Sequence, residues 1–76
     1  MKSYENQHVL IVDTEEDFGV RFYVFSKKTN AVYRYYIEDV LHSLVYDCDA
    51  FDMYVATLLK EHGFLDYLDY LIKKNL

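Results

Sequence analysis

The chain reads as a small α+β domain, an antiparallel β-meander of two or three strands followed by two or three α-helices packed on one face. Three observations predict this. Short β-branched and aromatic runs, separated by turn residues, fill the first half. From Ile37 the apolar residues change to a helical period. There is no proline and there are only two glycines, so most of the chain belongs in regular structure. Seventy-six residues make one domain, residues 1–76, with a thin core, because a chain this short buries only about 60% of its unfolded surface.

His8-Val9-Leu10-Ile11-Val12 is short, apolar and β-branched, and predicts the first strand. Asp13 to Asp17 is polar and predicts a hairpin loop, with Gly19 where a positive φ or a bulge is useful. Val20 to Phe25 predicts the second strand, with Val20, Phe22 and Val24 on one face and Arg21, Tyr23 and Phe25 on the other. Ser26 to Asn30 is a turn by composition. Ala31 to Tyr36 favours a third strand by its aromatic and β-branched content, against a rival helix from Asn30 to Tyr46.

In the first helix Ile37, Val40, Leu41, Leu44 and Val45 form the apolar stripe, opposite Glu38, Asp39, His42, Ser43 and Tyr46. Asp49 is a suitable N-cap for a second helix that buries Phe51, Tyr54, Val55, Leu58 and Leu59, leaves Met53 and Ala56 toward solvent, and ends at Gly63. Tyr33, Tyr35 and Tyr54 are expected in the core or at its edge. A last helix is expected from Phe64, with Phe64, Leu65, Leu68, Leu71 and Ile72 on its apolar arc and Asp66, Asp69, Tyr70 and Lys73 opposite.

Thirteen acidic residues outnumber eight Lys and Arg, for a net charge of −5. The excess lies in the second half, where seven acids face three bases. Such a balance repels nucleic acid and anionic lipid and attracts a basic partner. No segment approaches the ~18 consecutive apolar residues of a membrane helix. One cysteine, Cys48, cannot close an internal disulfide, and no signal-like apolar run follows the N-terminus, so a cytoplasmic setting is expected.

Few residues offer catalytic chemistry. Cys48 stands between Asp47 and Asp49, which oppose a thiolate. His42, Cys48 and His62 lack the tight pairing of zinc ligands. The run from Asp13 fails as a calcium loop, because Phe18 and Val24 stand where Gly and Glu are required. No phosphate-cradling glycine loop is present. The sequence therefore predicts no catalytic residue, cofactor or metal.

What stands out is acid beside tyrosine. Nine tyrosines are present, and Asp66-Tyr67-Leu68-Asp69-Tyr70 sets Asp66 and Asp69 about 5–6 Å apart on a helix, with Tyr67 and Tyr70 beside them. Carboxylates so spaced can occupy an Arg/Lys groove that tracks phosphates, while tyrosine rings supply contact area at low entropic cost. Asp66, Tyr67, Asp69 and Tyr70 are the first candidates for a partner-binding face, and Glu15, Glu16 and Asp17 at the hairpin tip are the second. In size, charge and lack of a catalyst the chain resembles the small acidic phage and mobile-element proteins that act as nucleic-acid mimics against host nucleases, CRISPR effectors included. That profile carries no motif residue with it. It implies a non-enzymatic inhibitor of a larger host protein with a basic groove, such as a nuclease or nucleic-acid-binding complex. The competing expectation is a homodimeric regulatory or scaffolding module.

Overall fold

A computed structural model of the chain describes residues 2–16, 18–45 and 50–66, apart from the side chains of Leu41, Leu44 and Val45. It is α+β. Four strands, β1 (Lys2–Glu5), β2 (Val9–Asp13), β3 (Phe22–Ser26) and β4 (Val32–Tyr35), precede α1 (Ile37–Val45) and α2 (Ala50–Glu61). The strands form one antiparallel sheet in the order β1-β2-β3-β4.

The sheet therefore has one strand more than expected. β1 is polar, Lys-Ser-Tyr-Glu, and carries no apolar alternation to betray it. As an edge strand it is held by register with β2, Tyr4 opposite Ile11, and by contacts to the turn after α2. Tyr4 stacks on His62 with ring centroids 3.8 Å apart, and Lys2 Nζ donates to the Gly63 carbonyl at 3.4 Å.

Alternation in β2 and β3 places Val9, Ile11, Phe22 and Val24 on one face. With Tyr35 they meet Val40 of α1, Val55, Leu58 and Leu59 of α2, and Phe64 and Leu65 beyond it. The reverse face carries Leu10, Val12 and Phe25, half-buried, and Tyr23 and Val32, exposed.

Two departures from simple alternation share a cause. Asp13 ends β2 and is fully buried, where a loop was expected to begin, and Arg21 is buried on the face of Phe22 rather than opposite it. The Arg21 N–H donates to the carbonyl of Tyr35, the residue already paired with Phe22. Two residues thus oppose one, a β-bulge, which turns the Arg21 side chain to the inner face beside Asp13.

Local chemistry explains the remaining boundaries. Tyr36 caps α1, and its N–H is accepted by Asp39 Oδ2 at 2.9 Å, half of a capping box. This fixes residues 32–35 as strand and starts the helix at Ile37, resolving the expected ambiguity. Gly63, at φ +76°, ends α2 with bonds from its own N–H to Lys60 O and from Phe64 N–H to Leu59 O, the pattern of a Schellman motif. Ala56 and Ser43 are buried, contrary to expectation. Alanine is small enough to sit under the sheet, and the Ser43 hydroxyl is satisfied by donating to Asp39 O. Tyr35 is buried and its hydroxyl donates to Asp52 at 2.7 Å, whereas Tyr33 and Tyr54 are exposed. Phe64 and Leu65 join the core from a turn covering residues 62–66; the rest of the helix expected from Phe64 lies outside the described residues.

Candidate functional site

The described residues of the loop joining β2 to β3 are tied to its neck by several hydrogen bonds. Its foundation is the buried ion pair of Asp13 and Arg21. Arg21 Nε donates to Asp13 Oδ1 at 2.6 Å, and Arg21 and Asp13 are 5% and 0% exposed. The same oxygen accepts the Glu15 N–H at 2.8 Å, and Arg21 Nη1 donates to the Glu16 carbonyl at 3.1 Å. Thr14 closes the neck. Its N–H donates to Arg21 O, and its hydroxyl lies 3.0 Å from Val20 O and 3.1 Å from Arg21 O. The Thr14 hydroxyl oxygen also accepts the Glu16 N–H at 3.3 Å.

Burying two charges is costly, and breaking such a pair by removing one partner leaves an uncompensated buried charge. Here each member of the pair also bonds the loop backbone, Asp13 at the Glu15 N–H and Arg21 at the Glu16 carbonyl. Asp13 Oδ2 finds no hydrogen-bond partner among the described residues, so the arrangement sacrifices a bond to hold the loop. Among the described residues of the loop, Glu15 at φ 61° and Gly19 at φ 80° are left-handed.

The brace displays Glu15, Glu16 and Phe18. Both carboxylates are exposed. Phe18 is 86% exposed, more than any other large apolar residue described. Glu15 is held below the usual carboxylate range, chiefly by hydrogen bonding and attraction to the chain's α-amino group; desolvation opposes this, and Arg21 and Lys2 add smaller attractions. The described part of the tip thus carries an exposed aromatic ring, the Glu16 carboxylate, and a Glu15 carboxylate engaged by the α-amino group.

Of the residues proposed from sequence, Glu15 and Glu16 come together at this tip. Asp66 is exposed in the turn after α2. Asp17, Tyr67, Asp69 and Tyr70 lie outside the described residues, as do Cys48 and Asp49. Asp52, the described half of the Asp49/Asp52 pair, is engaged by the Tyr35 hydroxyl. Sequence reasoning missed Phe18, although a phenylalanine interrupting an acidic run just before a glycine was a legible signal.

A second feature lies at the other end of the sheet. An open surface cavity of about 270 Å³ is lined by Val9, Tyr33, Phe51 and Tyr54, with His8 and Lys28 also on its lining. Tyr33 and Phe51 pack ring to ring at 4.6 Å, and Asn6 Nδ2 donates to the Tyr54 hydroxyl at 3.1 Å. Among the described residues no three His, Cys, Asp or Glu side chains are grouped to hold a metal, and no helix is long and apolar enough to cross a membrane.

No known protein family, curated protein or solved structure matches the chain.

Proposed function

We propose that this chain is a protein-binding module that acts without catalysis, docking its β2–β3 tip onto a cationic surface with an apolar socket on a larger protein. The observation that carries this is Phe18, 86% exposed beside Glu15 and Glu16 on a loop held by the Asp13–Arg21 pair. A large aromatic ring so exposed to solvent is a ready contact surface, and buried aromatic anchors dominate interface energetics. Bracing the loop beforehand removes ordering cost from the binding step. Flanking carboxylates favour an Arg/Lys-lined partner and speed encounter. A groove that tracks phosphates has that chemistry, so inhibition of a nuclease or nucleic-acid-binding complex is the finer form of the proposal. The excess of acid over base, −5 overall, supports it.

The test is comparative capture from the source cells. Wild-type chain, Phe18→Ser and the double variant Glu15→Gln/Glu16→Gln are immobilised, and the retained proteins are identified. The reading expects a partner that the wild type retains, that both variants lose, and that high salt releases. A partner retained equally by all three would overturn the tip as the docking element.

A further inference from the structure

We propose that two copies of the chain join along the open edge of β4, antiparallel about a two-fold axis, so that their four-stranded sheets become one continuous sheet. The pairing goes beyond the docking of the tip and does not depend on it.

Alternation fixes which backbone groups of β4 are in use. Ser26 N–H donates to Ala31 O and Arg21 N–H to Tyr35 O, so Ala31, Tyr33 and Tyr35 are the residues bonded to β3. The N–H and C=O groups of Val32 and Arg34 therefore point away from the sheet, which β4 ends. Neither residue has another hydrogen-bond partner among the described residues. Val32, Tyr33 and Arg34 are all exposed. Such a row of unpaired donors and acceptors is a template for an added strand.

The other edge of the sheet is built differently. β1 reads Lys-Ser-Tyr-Glu, and its Glu5 is engaged by Lys27 at 2.6 Å. Charge along an edge blunts it. β4 reads Val-Tyr-Arg-Tyr, a sequence of high strand propensity. Of the large apolar side chains exposed among the described residues, Val32, Tyr33 and Tyr36 lie on β4 or directly after it. Tyrosine is a residue that interfaces favour.

One register makes β4 its own complement. With Tyr33 opposite Tyr33 of the second copy, Val32 of each copy lies opposite Arg34 of the other. Every outward group of both residues is then paired, and each Arg34 faces a valine rather than a like charge. Sliding by two residues either way brings Tyr36 or Asn30 into the ladder. Their N–H groups are already donated, to Asp39 Oδ2 and to Ser26 O. Antiparallel pairing also carries the exposed Lys28, in the turn before β4, to the end where the second copy's α1 opens with Glu38 and Asp39. A two-fold contact uses up the same edge of both copies, so assembly stops at a dimer. One strand pair is a small interface, and the dimer is weak.

Sedimentation velocity at up to about 1 mM measures the association. The wild type is expected to reach a dimer and go no further. Val32→Pro removes an outward N–H without touching the β3 ladder, at the first residue of an edge strand, where proline is tolerated. It should weaken the dimer about ten-fold or more. Val32→Lys and Val32→Glu keep the backbone and change what faces Arg34 of the second copy. That contact occurs twice, so the Glu variant should dimerise about ten-fold more tightly than the Lys variant. Circular dichroism checks each fold, and the Lys and Glu pair decides the matter if Val32→Pro does not fold. Amide exchange reads the register. Val32 and Arg34 N–H exchange should slow as concentration rises, whereas Tyr33 N–H, paired with Val24, is slow throughout. In a sample with half the chains isotope-labelled, Tyr33 of one copy should show a backbone contact to Tyr33 of the other, their Cα atoms being about 4.5 Å apart.

A wild type monomeric at about 1 mM overturns the proposal and leaves the edge to a strand of a different protein. Growth past a dimer overturns it in favour of β4 meeting β1. A dimer unmoved by a folded Val32→Pro, or equal in the Lys and Glu variants, overturns it because the contact then lies elsewhere. The docking role of the tip is judged separately, by capture with Phe18→Ser.

Discussion

Replacing Asp13 by Asn tests the buried brace with little change of shape. Asparagine has nearly the same volume, so no cavity opens, and its side-chain oxygen can still accept the Glu15 N–H. What disappears is the charge opposite Arg21, whose guanidinium is buried at 5% exposure with Nε 2.6 Å from Asp13. Breaking a buried pair by removing one charge costs about 3–5 kcal/mol. A domain of 76 residues has a total stability of roughly 4–11 kcal/mol and an unfolding entropy near 0.16 kcal/mol/K, so each kcal/mol lowers the melting temperature by about 6 °C. Asp13→Asn should therefore lower it by roughly 20–30 °C. Thermal and urea unfolding followed by far-ultraviolet circular dichroism measure this directly. The apolar double variant Asp13→Leu/Arg21→Met should return to within about 2 kcal/mol of the wild type, because both desolvation penalties vanish together. If Asp13→Asn melts within about 6 °C of the wild type, Arg21 is not held by that charge and the account of the brace is wrong.

Two glycines at positive φ should respond unequally. Gly19→Ala adds a Cβ into open space and should cost about 1 kcal/mol, whereas at Gly63 the new Cβ also meets Asp66 Oδ2 at 3.1 Å, so Gly63→Ala should cost more; urea midpoints rank them, and a smaller loss at Gly63 would contradict the structure. Leu59→Ala, at a fully buried position where α2 meets the sheet, should cost about 2–5 kcal/mol in the same assay. For Glu15 the folded carboxyl titrates lower than the unfolded one, so its stabilising contribution is present above the unfolded value and fades as pH falls through the folded value. An NMR pH titration should show that lowered midpoint, and acetylating the α-amino group should raise it; no change on acetylation would remove its principal cause.

Wherever period and composition were strong, the sequence was readable. Val9, Ile11, Phe22 and Val24 announced their strands by alternation, and Gly63 marked the end of α2. β1 was invisible because an edge strand needs only backbone pairing, and Lys2-Ser3-Tyr4-Glu5 has no face to conceal. The inward turn of Arg21 depended on a bulge against Tyr35, fourteen residues along the chain, which no local pattern encodes. Of the site, the acidic tip was legible from charge at a turn. Its brace and the opposing cavity were not, since each is assembled from residues on separate elements whose meeting only the tertiary fold decides.

The strand order carries a kinetic consequence. Every strand pairs with its immediate predecessor, so the sheet can zip hairpin by hairpin with small loop-closure losses, and the residues that roof it come later in the chain. During synthesis the nascent ribbon emerges before its cover does. Until Val55, Leu58 and Leu59 leave the ribosome, Val9, Ile11, Phe22 and Val24 are an open, sticky plane. A chain truncated before Ala50 should consequently clump rather than settle, making the final third of the polypeptide its own folding safeguard.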